Sequence, residues 1–121
     1  MKNIKLSKNL IHTWFIDLDG TILKHNGYIF EKKDTLLKGV KSFFKKIPKK
    51  DKIILTTSRK KKYAKKTINF LKKNKLFNNK IIFDLPYGER ILINDIKPKN
   101  KLKTAISINV KRDCGLDKYK I

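Results

Sequence analysis

The chain has little of what marks secreted, membrane-spanning or multidomain proteins. A single cysteine, Cys114, excludes an intrachain disulfide and favours a reducing compartment. No apolar run reaches the roughly 20 residues that cross a bilayer, and the N-terminal segment lacks the apolar core of a signal peptide. Because no Pro-, Gly- or Ser-rich stretch divides the 121 residues, we expect a single domain over residues 1–121. From the preceding observations we expect it to be cytoplasmic and to have no membrane partner.

Acidic residues are also scarce. Ten Asp and Glu stand against 32 Lys and Arg, which gives a formal net charge of +22 and suggests a polyanionic partner such as nucleic acid. However, only Arg59, Arg90 and Arg112 are arginine, and the chain is rich in Ile and Asn, so an A/T-rich genome would produce the same composition. Because phosphate binders rely on the planar fork of arginine, we favour composition bias over nucleic-acid binding.

Apolar periodicity predicts alternating strands and helices, and hence a parallel α/β sheet. Helical spacing predicts a helix that begins at Asp34, as N-cap, and ends before Pro48, and a second, basic helix over residues 59–75. Short β-rich runs predict strands near residues 12–17, 52–57, 80–85, 89–94 and 104–110.

One connection does not fit this scheme. Only Pro86, Tyr87 and Gly88 separate the third and fourth predicted strands, whereas a parallel crossover needs about a dozen residues. The third segment is therefore either a hairpin partner or an edge strand in another orientation.

Two carboxylates, Asp17 and Asp19, follow the first apolar run and precede a Gly20-Thr21 turn. The run over residues 13–16 predicts a strand buried on both faces, which places the two acids at its carboxyl end, where open α/β sheets build their sites. Two adjacent anions require a cation or a shared proton. An ordinary Asp-Gly turn would account for Asp19 and Gly20 but not for Asp17.

Residues 17–21 read Asp-Leu-Asp-Gly-Thr and resemble the first motif of the haloacid dehalogenase-like phosphohydrolases. The resemblance implies a three-layer Rossmann-like fold with a mainly parallel sheet of about five strands and no cap domain. It also implies Mg²⁺-dependent hydrolysis of a phosphomonoester. In that reaction Asp17 is the nucleophile that forms an aspartyl-phosphate, and Asp19 is the general acid and base.

Two further motifs of this family follow predicted strands. Thr57, with Ser58 beside it, matches the hydroxyl that contacts the phosphoryl group, although either residue also suits a helix cap. Asp95, with Asn94 as a helper, matches the acid that completes the metal site with Asp17 and Asp19. An Asn-Asp turn is the alternative interpretation of that pair.

The basic residue of the third motif stays open among Lys80, Arg90 and Lys97. Arg90 is favoured because arginine is rare in this chain. With Gly20, Thr57 and Ser58, it completes the expected phosphate-binding set.

The expected substrate is a sugar or sugar-acid phosphate, as in capless relatives associated with surface-polysaccharide biosynthesis. Such relatives either act on large phosphorylated substrates or close their sites by oligomerisation, so the resemblance also allows a homo-oligomer. A polynucleotide 3′-phosphatase is the alternative within enzymes. A non-catalytic domain that binds phosphate or nucleic acid on the same fold is disfavoured because both Asp17 and Asp19 are present.

Overall fold

Three parallel strands form the main sheet, and two very short parallel strands form a second one. The computed structural model describes residues 2–76 and 80–121. In chain order the elements are β1 (Lys2–Asn3), β2 (Thr13–Asp17), α1 (Gly27–Phe30), α2 (Val40–Lys46), β3 (Lys52–Thr56), a 3₁₀ turn (Lys61–Tyr63), α3 (Ala64–Lys73), β4 (Lys80–Ile82) and β5 (Tyr119–Lys120).

The main sheet has the strand order β2, β3, β4. Asp17 of β2 lies opposite Thr56 of β3, and the Thr57 N–H donates to the Ile82 carbonyl of β4 at 3.0 Å. The carboxyl ends of the three strands therefore meet at one edge, which brings Asp17 and Thr57 together. The parallel α/β class predicted from the sequence is confirmed.

Only one face of β2 packs against the core. Side chains alternate along a strand, so Ile16 is 8% exposed while Phe15, on the other face, is 58% exposed. The prediction of a strand buried on both faces is therefore wrong. The core beneath the buried face includes Leu18, Ile22, Leu23, Val40, Phe43, Leu55, Leu71 and Leu116.

Both helices begin later than the sequence pattern predicts. α2 begins at Val40, after Gly39 in the left-handed region at φ 76°, and Asp34 is not its N-cap because its carboxylate pairs with Arg59. Arg59 precedes the 3₁₀ turn that leads into α3. Asp34 and Arg59 therefore lie outside the helices in which they were predicted, and they form an ion pair with each other.

The fourth and fifth predicted strands do not form. Residues 89–94 and 104–110, all of which the structure describes, lie outside its strands. The first segment is open to solvent, with Ile91 82% and Ile93 88% exposed. The connection after β4 is too short for a right-handed crossover that would return the chain to the sheet. A single antiparallel bridge, Ile96 to Lys103, links the region internally.

The C-terminal segment returns over the loop that follows β2. The Asp113 N–H donates to the Gly20 carbonyl at 2.9 Å, and the Leu116 N–H donates to the Lys38 carbonyl at 2.8 Å. Gly115, at φ 77°, approaches the Lys38 backbone so closely that a side chain would collide with it. β5 then pairs with β1, so the C-terminal segment contacts residues at the start of the chain as well as the loop after β2.

The connections between the strands of the main sheet hold only α1, α2, the 3₁₀ turn and α3 in the part of the chain that the structure describes. The predicted absence of a cap domain is confirmed there. Within the same ranges, the structure contains no helix with the length and apolar character needed to traverse a bilayer.

Candidate active site

Asp17 lies at the carboxyl end of β2 with its side chain half-buried. Burial raises the pKa of this carboxyl, and the negative charge of Asp19 raises it further. A hydrogen bond from the Thr21 hydroxyl, 3.2 Å from Oδ2, acts in the opposite direction, and so does the positive charge of Arg90. Asp17 is therefore a carboxylate whose charge the surrounding protein compensates only in part.

Asp19 is held on both carboxylate oxygens. Arg59 Nη2 donates to Oδ1 at 2.8 Å, and Arg59 Nε lies 3.1 Å from Oδ1 and 3.2 Å from Oδ2. The Thr57 hydroxyl donates to Oδ2 at 3.0 Å. This charge-assisted fork fixes the Asp19 carboxylate in one orientation near Asp17.

Arg59 is a buried cation that links three parts of the chain, with its side chain 1% exposed. Its guanidinium also binds Asp34, through Nη2 to Oδ1 at 2.6 Å and Nη1 to Oδ2 at 2.9 Å, and Nη1 donates to the Thr67 hydroxyl at 2.9 Å. Burial alone would lower the pKa of Arg59, but the bonds to Asp34 and Asp19 outweigh it and raise the pKa. Two carboxylates thus share one desolvated guanidinium.

Tyr28, on α1, covers this guanidinium. The Tyr28 ring centroid lies 3.9 Å from Arg59 Cζ, within cation–π range, and the ring meets Tyr63 edge to face at 4.9 Å. Burial raises the pKa of Tyr28, and the nearby Asp19 adds to that shift. The helix α1 (Gly27–Phe30), which carries Tyr28, therefore acts as a small flap that shields the Asp19–Arg59 pair from water.

Thr57 and Ser58 occupy different positions at the end of β3. Thr57 is fully buried, and its hydroxyl accepts the Arg59 N–H at 3.0 Å while giving its one proton to Asp19. A hydroxyl has a single proton, so Thr57 orients Asp19 in this arrangement. Ser58 is half-buried, and its hydroxyl accepts from Arg90 Nη2 at 3.4 Å, which leaves its own proton for another acceptor.

Arg90 reaches the site from the exposed segment after β4. Its Nη1 donates to the carbonyls of Pro86 at 2.7 Å and Gly88 at 2.8 Å, which holds the guanidinium close enough to lower the pKa of Asp17. Of the other two candidates, Lys80 begins β4, at the end of the sheet opposite the site, and Lys97 pairs with Asp95. Of the three candidates, Arg90 is therefore the one that reaches Ser58 and whose charge acts on Asp17.

Asp95 does not join the two acids. Its side chain is 68% exposed and pairs with Lys97 Nζ at 3.0 Å, and the neighbouring Asn94 is also exposed. No group of three or more His, Cys, Asp or Glu side chains is arranged to hold a metal within residues 2–76 and 80–121. The described residues therefore do not bring Asp95 together with Asp17 and Asp19, because residues 89–94 do not form a strand beside β2.

Gly20 has its amide committed within the loop. Its N–H donates to the Leu23 carbonyl at 2.7 Å, so this N–H, the one donor that a glycine in the predicted phosphate-binding set could offer, already has a partner. The glycine is needed for another reason, since it adopts φ 84°, a conformation that residues with a Cβ adopt at a cost.

Without Asp95, two protein oxygens could hold a hard cation: one from the Asp17 carboxylate and the backbone carbonyl of Asp19. Mg²⁺ is commonly held by one or two carboxylates together with waters and substrate phosphate. The partly compensated carboxylate of Asp17 and the backbone carbonyl of Asp19 in the same loop are oxygens of this kind. The donor set thus fits Mg²⁺ without Asp95.

Sequence patterns predicted Asp17, Asp19, Thr57, Ser58 and Arg90 as site residues, but they did not predict the contacts of Arg59 with Asp19 and Asp34. The rarity of arginine was the signal that could have found Arg59, because three of the 32 basic residues are arginine and this one directly follows Thr57-Ser58. Asp34 gave no such signal, since an acid before an apolar run also suits an N-cap.

A model of the haloacid dehalogenase-like hydrolases matches residues 14–119, and the chain belongs to that family. The match covers most of the chain, including β2, β3, the Asp17–Asp19 pair and Arg90. Comparison with curated proteins and with solved structures gave no match.

Proposed function

We propose that this protein is a Mg²⁺-dependent phosphatase that hydrolyses phosphomonoesters through an aspartyl-phosphate. The observation that carries the proposal is Asp17 at the carboxyl end of β2, where the charges of Asp19 and Arg90 both act on its pKa and Arg90 reaches Ser58. A nucleophile, a proton carrier and an anion-binding cation are the parts that phosphoryl transfer needs.

Each of these residues has one task in the proposed reaction. The Asp17 carboxylate attacks phosphorus, and the bond from phosphorus to the leaving oxygen breaks while Asp19, which enters this step protonated, gives that oxygen its proton. Asp19 thereby becomes the carboxylate that pairs with Arg59 in the structure. Asp19 then takes a proton from a water molecule, which attacks the aspartyl-phosphate and releases inorganic phosphate and free Asp17. Arg90 and the Ser58 hydroxyl contact the phosphoryl oxygens.

Arg59 and Thr57 act on this chemistry through Asp19. Their hydrogen bonds hold both Asp19 oxygens, so that the carboxylate keeps one orientation in both steps. The Asp17 carboxylate and the Asp19 carbonyl would hold Mg²⁺. When bound, Mg²⁺ neutralises negative charge between the nucleophile and the phosphate.

The substrate we propose is a sugar or sugar-acid phosphate, consistent with an open site that no cap domain covers in the described chain. The resemblance to small capless relatives supports a place in surface-polysaccharide biosynthesis. A cytoplasmic location, a single functional domain over residues 1–121 and a homo-oligomer complete the proposal.

A polynucleotide 3′-phosphatase is the second candidate. The net charge of +22 favours it, because a strongly basic surface attracts the phosphate backbone of nucleic acid. An uncovered site would also admit the end of a polymer.

A phosphatase screen separates the two candidates. Sugar phosphates, sugar-acid phosphates, nucleotides and a 3′-phosphorylated oligonucleotide are offered with Mg²⁺ and with EDTA, and released phosphate is measured. We expect Mg²⁺-dependent hydrolysis that is fastest for a sugar or sugar-acid phosphate. Faster saturable hydrolysis of the oligonucleotide would favour the second candidate, and no release from any compound would contradict both.

Asp95→Asn tests the metal ligands within the same assay. Because Asp95 is exposed and pairs with Lys97, we expect its replacement to leave kcat and the Mg²⁺ requirement within about twofold of wild type, as for other exposed ion pairs. A loss of more than about a hundredfold would show that Asp95 acts in the site, as a metal ligand would.

A further inference from the structure

The three arginines of the chain all lie at the candidate active site. Lysines occur throughout the sequence, whereas Arg59, Arg90 and Arg112 are the only arginines among 32 basic residues. Arg59 binds Asp19, Arg90 acts on Asp17, and the stem of Arg112 lies against Gly20, the residue that follows Asp19. Composition bias explains the lysines but not this clustering of the guanidinium groups.

The stem of Arg112 lies directly on the loop that carries the two acids. A Cβ atom added to Gly20 would be 3.2 Å from Arg112 Cγ and 3.8 Å from Nε. The absence of a side chain at Gly20 thus leaves the space that the arginine stem occupies. Packing of this kind limits the rotamers of the stem and reduces the entropy lost when its head binds a ligand.

The turn that carries Arg112 is anchored to the same loop. The next residue, Asp113, donates its N–H to the Gly20 carbonyl at 2.9 Å, and its Oδ1 accepts the His25 N–H at 2.8 Å. Asp113 itself adopts φ 60°, in the left-handed region, and this backbone conformation costs some free energy in a residue with a Cβ atom. The two hydrogen bonds therefore hold the turn that carries Arg112 against the loop after Asp19.

The guanidinium of Arg112 is left free for a ligand. It makes no hydrogen bond, ion pair or ring contact with residues 2–76 or 80–121, and the residue is exposed. By contrast, the guanidinium of Arg59 binds two carboxylates, and that of Arg90 donates to the carbonyls of Pro86 and Gly88. A fixed stem with a free planar fork is suited to a carboxylate or a phosphate.

We propose that Arg112 is a specificity-determining residue that binds a second anionic group of the substrate, either a carboxylate or a second phosphate. The inference rests on the proposed phosphatase function. Arg90 binds the phosphoryl group that is transferred, and Arg112, whose stem lies against Gly20, binds the second anion. The favoured substrates are therefore phosphomonoesters that carry a further negative charge.

Matched substrate pairs test this assignment. Glycerol 3-phosphate and 3-phosphoglycerate differ by a carboxylate, and fructose 6-phosphate and fructose 1,6-bisphosphate differ by a phosphate. For each pair we compare kcat/KM of the two-anion and the one-anion compound in wild type and in Arg112→Gln. We expect the wild type to prefer the two-anion member, and the variant to lose about tenfold of that preference, mainly through KM, as for one charge-assisted contact.

Two further variants distinguish the planar guanidinium of Arg112 from its positive charge alone. Lys111→Gln removes a positive charge from the neighbouring exposed residue and should leave the preference within about twofold. Arg112→Lys keeps the charge but lacks the fork, and we expect an intermediate preference. Equal losses in Lys111→Gln and Arg112→Gln, or an unchanged preference in Arg112→Gln, would overturn the assignment. The pair with the larger loss identifies the second anion as carboxylate or phosphate.

Calorimetric binding of the same four compounds distinguishes failure of this inference from failure of the proposed function. Hydrolysis with no effect of Arg112→Gln on preference would leave the phosphatase in place and overturn the role of Arg112. If no compound is hydrolysed, the role of Arg112 would still be supported when Arg112→Gln binds the two-anion compounds more weakly than wild type does and binds the one-anion compounds equally well. If wild type and Arg112→Gln bind every compound with the same affinity, the role of Arg112 is overturned.

Discussion

At the scale of single residues, Arg59 determines the geometry of the site. Its guanidinium is desolvated between Asp19 and Asp34, and it also contacts the Tyr28 ring. A buried charge pair adds little net stability compared with apolar packing, but removing one partner leaves the other charges uncompensated, at a cost of about 3–5 kcal/mol. The arrangement therefore serves orientation of Asp19 more than stability.

Arg59→Lys separates these two effects. Lysine keeps the charge but cannot span both carboxylates, so we expect kcat to fall by at least about tenfold and the free energy of unfolding to fall by about 2 kcal/mol. Phosphatase kinetics and urea unfolding measure the two quantities. Lys60→Arg, at the adjacent exposed position, is the control and should change neither. A variant with unchanged kcat would show that Arg59 does not position Asp19.

At the scale of elements, the start of α2 is packed against the C-terminal segment. A Cβ atom on Gly39 would lie 2.5 Å from the Asp117 backbone nitrogen, and Gly39 adopts φ 76°. Any side chain there would meet both a collision and an unfavourable backbone conformation. The fit between these two segments therefore depends on one glycine.

Gly39→Ala should lower the free energy of unfolding by about 2 kcal/mol or more, since the backbone strain alone costs about 1–2 kcal/mol. Gly88→Ala is the matched control, because a Cβ atom there meets nothing within 4 Å. Urea unfolding of both variants measures the difference. Equal stability of the two variants would mean that the C-terminal segment does not pack on α2 in solution.

Asp51 joins the amino ends of β2 and β3. Its carboxylate accepts the His12 N–H at 2.9 Å and the Trp14 indole N–H at 2.9 Å, and it pairs with the His12 ring. Burial alone would raise the pKa of Asp51, but these hydrogen bonds outweigh it and lower the pKa below the ordinary 3.8. The stability that they supply is thus complete above pH 3.8 and is lost as the pH falls through the lower, folded-state pKa.

Asp51→Asn tests this pH dependence. The variant has no carboxylate to protonate, so below about pH 4 its free energy of unfolding should fall less steeply than that of wild type. Chemical unfolding at several pH values between about 2 and 6 provides the comparison. Parallel curves for the two proteins would show that the Asp51 carboxylate contributes no acid-dependent stability.

The same elements show what could be predicted from the sequence. Periodicity located β2 and β3 to within a residue, and with them Asp17, Asp19 and Thr57, because these are local patterns followed by turn residues. Residues 89–94 have an equally β-rich composition, but whether an apolar run finds a partner strand depends on connection length and tertiary contacts. The Asp34–Arg59 pair is likewise a long-range contact that no local pattern encodes.

At the scale of the whole molecule, the net charge of +22 surrounds a site whose acids are partly balanced by arginine. A general excess of lysine attracts anions of every kind, whereas the arginines are confined to the acids and their loop. The long-range field therefore raises the local concentration of anionic substrates, and the guanidinium groups select among them.

If the lysine excess is compositional, DNA should bind weakly and without preference for a 3′-phosphate end. Affinity should fall steeply with salt, because such binding rests on counterion release. Fluorescence anisotropy of labelled oligonucleotides, with and without a 3′-phosphate, at two salt concentrations tests this expectation. Tight binding that persists at high salt, or that requires the 3′-phosphate, would favour a polynucleotide substrate.

The most direct test of the account is the phosphatase activity of Asp17→Asn. The amide cannot form an acyl phosphate, so turnover should fall by several orders of magnitude, while urea unfolding shows the fold retained. Asp117→Asn, which removes a surface ion pair with Lys38, serves as the matched control and should keep its activity. An Asp17→Asn protein that retained more than about a hundredth of wild-type activity would contradict the covalent mechanism.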